Sequence, residues 1–548
     1  MPPRSVTVVG GGITGLSTVF HLSRRLTARS GIRINLIEGS DSIGGWVCSE
    51  RVKVKDRKGH EAKVLLENGP RTLRPTSKGI LELIHLLGLE PSVLTVPRTA
   101  PAARDRFLRL PTAKGLTTIP SSLSSLLVSP LAKILVPAVL QDALRLNGRV
   151  LGADLLEDES VDAFLTRHFG GKFAQTFGSA LVHGIYAADS RILSMRAAFP
   201  ALCQLEENGG GSVVRGAFAG ALSSMRKLKS EKITSTEPYN LGDVANLMQG
   251  VSAYSFRDGM QTLTDAMAQR VREQANVGVL QGDGVRTLRK VDDHFELTTD
   301  FGKRITSTHL VAALPLPHLH RILEDSSSSP SHTHSKYETR TPQHSTALSP
   351  LPHLLANPSS SVTVVNLVFP PSATPIHPPG FGYLIPRPQA TSPATTADDA
   401  HYPYSASSLG MLGTVFDSCA LSGQDHSLSG VGGENDKFTK LTVMLGGPYG
   451  TPSPSPSSPE FVPALLDALQ THLGRREPLP EPCLVRVRQH RDCIPTPTVG
   501  HTTRMKELAA AVRERWGPNA AVIGAGVGGV SLGDCVESGR RVAYELSF

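Results

Sequence analysis

The 548-residue chain is short of several things, and each shortage excludes a class of protein. Aromatic residues make up 5% of it, with two Trp, too few rings to stack successive bases. A dedicated single-strand nucleic-acid binder is therefore disfavoured. The six cysteines, at 48, 203, 419, 483, 493 and 535, are irregularly spaced and form no C-x-x-C pair. That argues against a disulfide scaffold or a zinc site, predicts no bound metal, and leaves reduced thiols as the expectation. No run of 18 apolar residues occurs, so no helix is expected to cross a bilayer. The chain runs from Met1-Pro2-Pro3-Arg4 straight into an apolar strand, which does not read as a signal peptide. Lys and Arg are nowhere dense, so the net charge of +8 does not point to nucleic acid. A mildly basic surface, an anionic substrate or an anionic lipid surface would each account for it.

What the chain does have is glycine and proline, 51 and 41 residues, concentrated in turns and in polar loops. Ser5–Val9 reads as a buried strand, followed by a helix from Leu16 and a second strand, Ile32–Ile37, ending at Glu38. A helix over residues 80–90 stops at Gly88. Residues 120–200 are mainly helical. Mixed α/β character returns over 253–315, and the runs Val362–Phe369, Gly410–Phe416 and Lys440–Leu445 suggest a second, antiparallel sheet. The stretches 325–361, 389–408 and 449–459 read as exposed, low-complexity insertions. His332, His334 and His344 fall in the first of these, and a metal site there is not expected.

The strongest motif is Gly10-Gly11-Gly12-Ile13-Thr14-Gly15, which follows a strand and opens a helix. This is the dinucleotide pattern: Gly10 for a tight turn, Gly12 for backbone approach to a pyrophosphate, Gly15 for close helix–strand packing. The helix N-terminus offers N–H groups and positive potential to phosphates, and Glu38 can accept from a ribose. Gly39 follows that acid. Asp41-Ser42-Ile43-Gly44-Gly45-Trp46 is a pattern typical of FAD rather than NAD proteins.

With Asn68-Gly69-Pro70-Arg71-Thr72, Arg106-Phe107-Leu108, Gly380-Phe381-Gly382, Val443-Met444, Cys493-Ile494-Pro495 and Asp534-Cys535-Val536-Glu537, the chain resembles the protoporphyrinogen oxidase family. The match runs from residue 5 to about 545, outside the insertions. The resemblance implies an α/β fold: a Rossmann-like FAD-binding domain (1–95, 253–318, 482–548), a mixed-sheet substrate domain (96–118, 211–252, 319–481) and an inserted helical membrane-binding domain (119–210). FAD is the implied cofactor, with Gly69, Pro70, Arg71 and Thr72 lining the flavin, Val285 at the adenine end, and Val530, Ser531 and Leu532 opening a second helix towards it. Arg106 would pair with a propionate of protoporphyrinogen IX, and Gly184, Phe381, Gly382, Leu384 and Met444 would shape its pocket. The implied reaction is hydride transfer from substrate to flavin, with O2 as acceptor and three H2O2 released over three cycles. No residue is required as an acid or base, and His183 is expected to pack rather than to catalyse.

The apolar residues Leu126, Leu127, Leu131, Ile134, Leu135, Val139 and Leu140, with Lys133, Arg145 and Arg149 nearby, suggest an interfacial helical face. The family sits peripherally on the mitochondrial inner membrane, at its intermembrane-space face. The resemblance also implies a homodimer and contact with ferrochelatase. Ser42 and Thr496-Pro497 depart from the family pattern. Two other readings stay open: a flavin amine oxidase of another substrate, a class that often carries a covalent cysteine near the C-terminus, although Cys535, followed by Val536-Glu537-Ser538, is not an obvious attachment motif; and an FAD-binding assembly protein without turnover.

Overall fold

The computed structural model describes residues 4–144, 158–226, 238–328, 345–347, 350–388, 409–428 and 437–548. Strand Ser5–Val9 is apolar and buried on both faces, as a central parallel strand must be. It lies in the middle of a five-stranded parallel sheet in the order Ala520–Val522, His309–Ala312, Ser5–Val9, Arg33–Glu38, Val277–Gln281. Three distant chain segments thus build one sheet. Helices Ile13–Arg25, Lys78–Leu87, Gln261–Arg272 and Leu532–Glu545 cover one face through a single apolar cluster. A second cluster covers the other, formed with strands Val285–Val291 and His294–Thr299 and helices Leu316–Ser328 and His501–Arg515. The buried ion pair Arg540–Glu82, with Nε to Oε2 at 2.6 Å, ties the last helix to Lys78–Leu87.

The second large sheet has seven strands, in the order Leu484–Pro495, Ser359–Phe369, Thr439–Gly446, Met411–Val415, Gly382–Leu384, Phe107–Arg109, Leu116–Thr118. It is antiparallel except where Gly382–Leu384 meets Phe107–Arg109. Helix Phe461–Leu473 packs Phe461, Leu465 and Leu469 against it. The helical region is pinned from within by Asp142, which is fully buried. It accepts from Ser212 Oγ and Val214 N, both at 2.8 Å, and pairs with His168. These contacts hold helices Ala132–Ala143, Val161–Phe169 and Val213–Arg226 together.

Several boundaries differ from those read in the sequence. Helix Val213–Arg226 packs against Pro200–Asn208, so it belongs to the helical region and not to the substrate domain. Strand Leu484–Pro495 is part of the seven-stranded sheet, although 482–548 reads as a cofactor segment. Leu316–Ser328 packs on the cofactor side, beyond the boundary at 318. The insertion over 325–361 is also narrower than it reads. The helix runs to Ser328, Ser345–Ala347 adds a strand beside Val285–Val291, and Leu351 and Leu354 are buried. His332, His334 and His344, and residues 389–408, lie outside the described residues.

The apolar face expected over 126–140 divides in two. Leu131 and Leu135 turn inward with Leu108, Ala180 and Leu384. Leu127 and Val128 are 81% and 85% exposed, and Val139, Leu140 and Leu144 are also exposed. Arg145 and Arg149 lie outside the described residues. Among the described residues no helix is long and apolar enough to cross a membrane.

Candidate cofactor and substrate site

The glycine turn is built by close approach. Gly10 has φ +103°, and a Cβ there would stand 2.4 Å from Ala313 O; at Gly15 it would stand 1.8 Å from Gly10 O. Above Gly12, by contrast, there is open space within 4 Å. Gly12 is the N-cap of Ile13–Arg25 and supplies no side-chain cap, so the helix end keeps its capacity to receive an anion. Gly44 and Gly45 run alongside: Gly44 N donates to Gly11 O at 3.0 Å, and a Cβ on Gly45 would lie 3.2 Å from Gly12 Cα. Small residues are needed there because the two backbones converge. Ser42, one of the departures, accepts through its carbonyl from Ser40 Oγ at 2.8 Å.

Glu38 is where the motif requires it, but its oxygens are already engaged. Oε2 accepts from Gly11 N at 2.7 Å, and Oε1 accepts from Ser40 N and Oγ at 2.8 and 2.7 Å. A carboxylate has about four acceptor sites, so about one remains for a ribose hydroxyl. Gly39 packs against Gly284, which brings Val285 to this end of the site.

Residues 69–72 come up against the Gly45-Trp46 segment: a Cβ on Gly69 would meet Trp46 O at 2.5 Å. Pro70 and Thr72 are half-buried beside it. Arg71 is buried. Its Nη1 is 3.5 Å from Asp417 Oδ1, and its Nη2 is buried with no protein partner. Asp417 accepts from Thr442 Oγ1 at 2.6 Å, which in turn accepts from Asn366 Nδ2 at 2.8 Å. Asn68 Oδ1 is likewise buried without a partner. His490 donates Nε2–H to Asn68 O at 2.8 Å, and its ring stands edge-on to Trp46 at 5.4 Å. Burial, with Arg488 nearby, lowers the His490 pKa, which favours this neutral donor. The uncapped helix end, the open space at Gly12 and the two orphaned polar atoms fit a bound dinucleotide with phosphates and a hydrogen-bonding ring.

The second helix expected to face the cofactor, Leu532–Glu545, is different from its sequence reading. Ser531 caps it and Asp534 closes the capping box, so a carboxylate sits on the helix end. The positive potential of a helix N-terminus is offset there by that charge. Val530 packs towards the helical region and Leu532 into the cofactor domain. Cys535 is buried, and burial pushes its thiol up to about 11. It stays protonated at neutral pH, unsuited to act as an attachment nucleophile.

The expected substrate residues meet at one end of the seven-stranded sheet. Leu384 lies beside Gly413, and Gly413 beside Met444, in one lateral row. Helix Ser179–Tyr186 covers the row, with Gly184 so close that a Cβ would stand 2.8 Å from Leu384 Cδ2. A Cβ on Gly382 would stand 2.2 Å from Thr414 O, so this residue shapes the strand. Phe381 N donates to Asp105 O, next to Arg106, at 2.9 Å. Arg106 is exposed, and burial of its stem, together with Arg74, lowers its pKa. His183 is buried with Nδ1 on Ile385 O at 2.8 Å, a packed and neutral histidine. Thr496-Pro497, the other departure, is knitted into the fold: Thr496 N donates to Pro358 O and Pro497 O accepts from Ser194 N, each at 2.8 Å.

Asp417, Gly413 and His490 were not singled out by the sequence, and Asn68 stood there only as part of the Gly69-Pro70-Arg71 motif. They act on partners far away in the chain, as Asp417 does on Arg71 across 346 positions. Only the alternation Val485, Arg486, Val487, Arg488 hinted at the strand that carries His490.

Fold and site together define a dinucleotide-dependent oxidoreductase with a substrate sheet set against its cofactor crevice. The chain belongs to the flavin-containing amine oxidoreductase family, whose pattern matches residues 13–547. Its cofactor is accordingly a flavin. It is similar to the protoporphyrinogen oxidase of Schizosaccharomyces pombe, at 30% identity over 99% of this chain and 98% of that one. The protoporphyrinogen oxidase of Bos taurus is 31% identical, again over 99% and 98%. A crystal structure from Exiguobacterium sp. 255-15 shares the fold, with a TM-score of 0.68 at 18% identity over 99% and 98% of the two chains.

Proposed function

We propose that this protein is an oxygen-dependent protoporphyrinogen oxidase that uses FAD to convert protoporphyrinogen IX to protoporphyrin IX. The observation that carries the reading is the end-to-end similarity to relatives of that name. When bound, FAD supplies two-electron acceptance from the substrate, with O2 as the final acceptor and H2O2 as the by-product. The protein's part is binding and orientation. The free end of Ile13–Arg25 and the Gly44-Gly45 backbone hold the diphosphate, Glu38 receives the ribose, and Arg71, fixed by Asp417, faces the ring. Arg106 takes a propionate, while Phe381, Leu384, Met444 and Gly184 form the apolar walls. The protein rests peripherally on the intermembrane-space face of the mitochondrial inner membrane through exposed Leu127, Val128, Leu140 and Leu144; their exposure supports this docking.

The test is purified flavin-loaded protein given protoporphyrinogen, with oxygen uptake and porphyrin fluorescence followed together. Coupled uptake and fluorescence are expected. Intact yellow protein with no fluorescence gain over the autoxidation control overturns the reading.

A further inference from the structure

Strand Gly382–Leu384 runs on into Ile385-Pro386-Arg387-Pro388. Ile385 and Arg387 each precede a proline, which biases both towards extended backbone. The prolines have no N–H, so within this strap only Ile385 and Arg387 can donate from the main chain. Both are engaged: Ile385 N donates to Leu412 O at 3.0 Å, and Arg387 N to Ser179 Oγ at 2.9 Å. Their carbonyls are engaged too. Ile385 O accepts from His183 Nδ1 at 2.8 Å, and Arg387 O accepts from Gln175 Nε2. Gln175, Ser179 and His183 recur every fourth residue along the continuous helical run Ala174–Tyr186, and so follow one face of it. The strap is therefore fastened to that helix at three successive turns.

The Arg387 side chain adds a lock. Its Nη2 lies 2.7 Å from Asp162 Oδ1, and its Nη1 donates to Ser190 Oγ at 2.9 Å. Ser190 Oγ donates in turn to Asp162 Oδ1 at 3.2 Å, and Asp162 N donates to Ser190 O at 2.9 Å. Asp162 belongs to helix Val161–Phe169, and Ser190 to the segment that follows Tyr186. The two charged side chains are 15% and 19% exposed, so salt and water screen this pair less than a surface one. One guanidinium thus joins the end of a substrate strand, the helix that covers it and the next helix over. Leu384, three residues back, depends on this seating. Its Cδ2 is wedged between two glycines: a Cβ on Gly184 would stand 2.8 Å from it, and one on Gly413 3.0 Å. Gly184 is on the fastened helix and Gly413 on the sheet, so a small lift of the helix frees the leucine to turn.

We infer that Arg387, paired with Asp162, is a positioning residue that fixes the substrate wall at Leu384 and thereby sets the discrimination among side groups on the macrocycle. The inference rests on the proposed substrate, whose apolar edge lies against that wall. Arg387 acts through the seat of helix Ser179–Tyr186, and the selection is exercised by Leu384 between its two glycines. A wall held against two backbones distinguishes groups that differ by one or two carbons, whereas a leucine free to change rotamer adapts to either.

The test uses the flavin-loaded protein and two stable porphyrins with the same two propionates: protoporphyrin IX, and deuteroporphyrin IX, which carries hydrogen in place of the two vinyl groups. Binding is followed by fluorescence. Wild type is expected to favour protoporphyrin IX, and Arg387→Gln to lower that preference by about fivefold or more. Asp162→Asn should do the same, and the double variant should lower it no further than either single one, with flavin content at the wild-type level throughout. An Arg387→Gln protein with the wild-type preference overturns the inference. So does equal weakening for both porphyrins, which marks a merely structural role, and so do additive losses in the double variant, which uncouple the pair. Wild type that binds neither porphyrin defeats the proposed substrate instead. Amide exchange then decides the clamp: helix Ser179–Tyr186 must exchange faster in Arg387→Gln, and exchange at the wild-type rate overturns it.

Discussion

At Gly15 a single methyl group would have to occupy space 1.8 Å from Gly10 O, a backbone atom fixed by the central strand. Gly15→Ala should therefore displace the turn that receives the phosphates. The expected outcome is protein purified with little flavin and a lowered melting temperature, read from absorbance per chain and from a thermal scan. Retention of full flavin would disprove this account of the turn. His21 allows a different test. It is buried on helix Ile13–Arg25 with neither ring nitrogen bonded, and burial, with Arg540 and Arg24 nearby, lowers its pKa to about 3. The unfolded chain takes up this proton near pH 6.5, the folded one only near 3. Stability from the neutral ring is thus complete above about pH 6.5 and is lost as pH falls towards 3. The melting temperature of His21→Leu should fall less between pH 7 and pH 5 than that of wild type; parallel slopes would refute it. The same residue-scale view explains what could be read early. Gly10, Gly12 and Gly15 announce themselves by spacing, because one turn imposes it. Asp417 does not, because its need arises only when Arg71 is buried against it from another part of the chain.

Helices Ile13–Arg25 and Leu532–Glu545 cross where Gly539 meets Thr14 O, at 2.6 Å from a notional Cβ, and Ser17 Cβ, at 2.9 Å. Ser17 Oγ also donates to Val536 O at 2.8 Å. Substituting Gly539→Val must part the two helices, and overpacking of this kind costs about 3 kcal/mol. A matching loss in denaturant midpoint, with weakened flavin retention, is expected; an unchanged midpoint would show the crossing to be slack. Elements differed in how legible they were. The N-terminal β-α-β unit and the stop at Gly88 follow from local period and a left-handed residue at φ +67°. Strand Leu484–Pro495 was hidden because its polar face is neutralised at a distance, by Glu50 on Arg486 and Arg488. The short strand Ser345–Ala347 has no pattern of its own and exists only as an edge beside Val285–Val291. In the helical region the period identified helices, but it could not tell Leu131, which faces the core, from Leu127, which faces outward. That distinction belongs to the packing of Ala180 and Leu108, not to spacing.

For the molecule as a whole, the exposed leucines and valines of 127–144 are the surface on which the proposed membrane docking would rest. The double variant Leu127→Asp with Val128→Asp should weaken binding to vesicles containing anionic lipid by about tenfold or more. Porphyrin binding in detergent should not change. Equal vesicle binding by wild type and variant would move the contact elsewhere. The interleaving of segments acts on the molecule at an earlier moment. Strand Ser5–Val9 finds one neighbour at Arg33–Glu38, but the other at His309–Ala312, and the sheet ends on Ala520–Val522. At about 5–20 residues per second, the ribosome takes roughly 15–60 s to supply that second neighbour. Through this interval one edge of an apolar strand is open, and the phosphate turn lacks Ala313, against which Gly10 closes. The turn that receives the phosphates is therefore incomplete until Ala313 has been made, and flavin capture is expected only after that point.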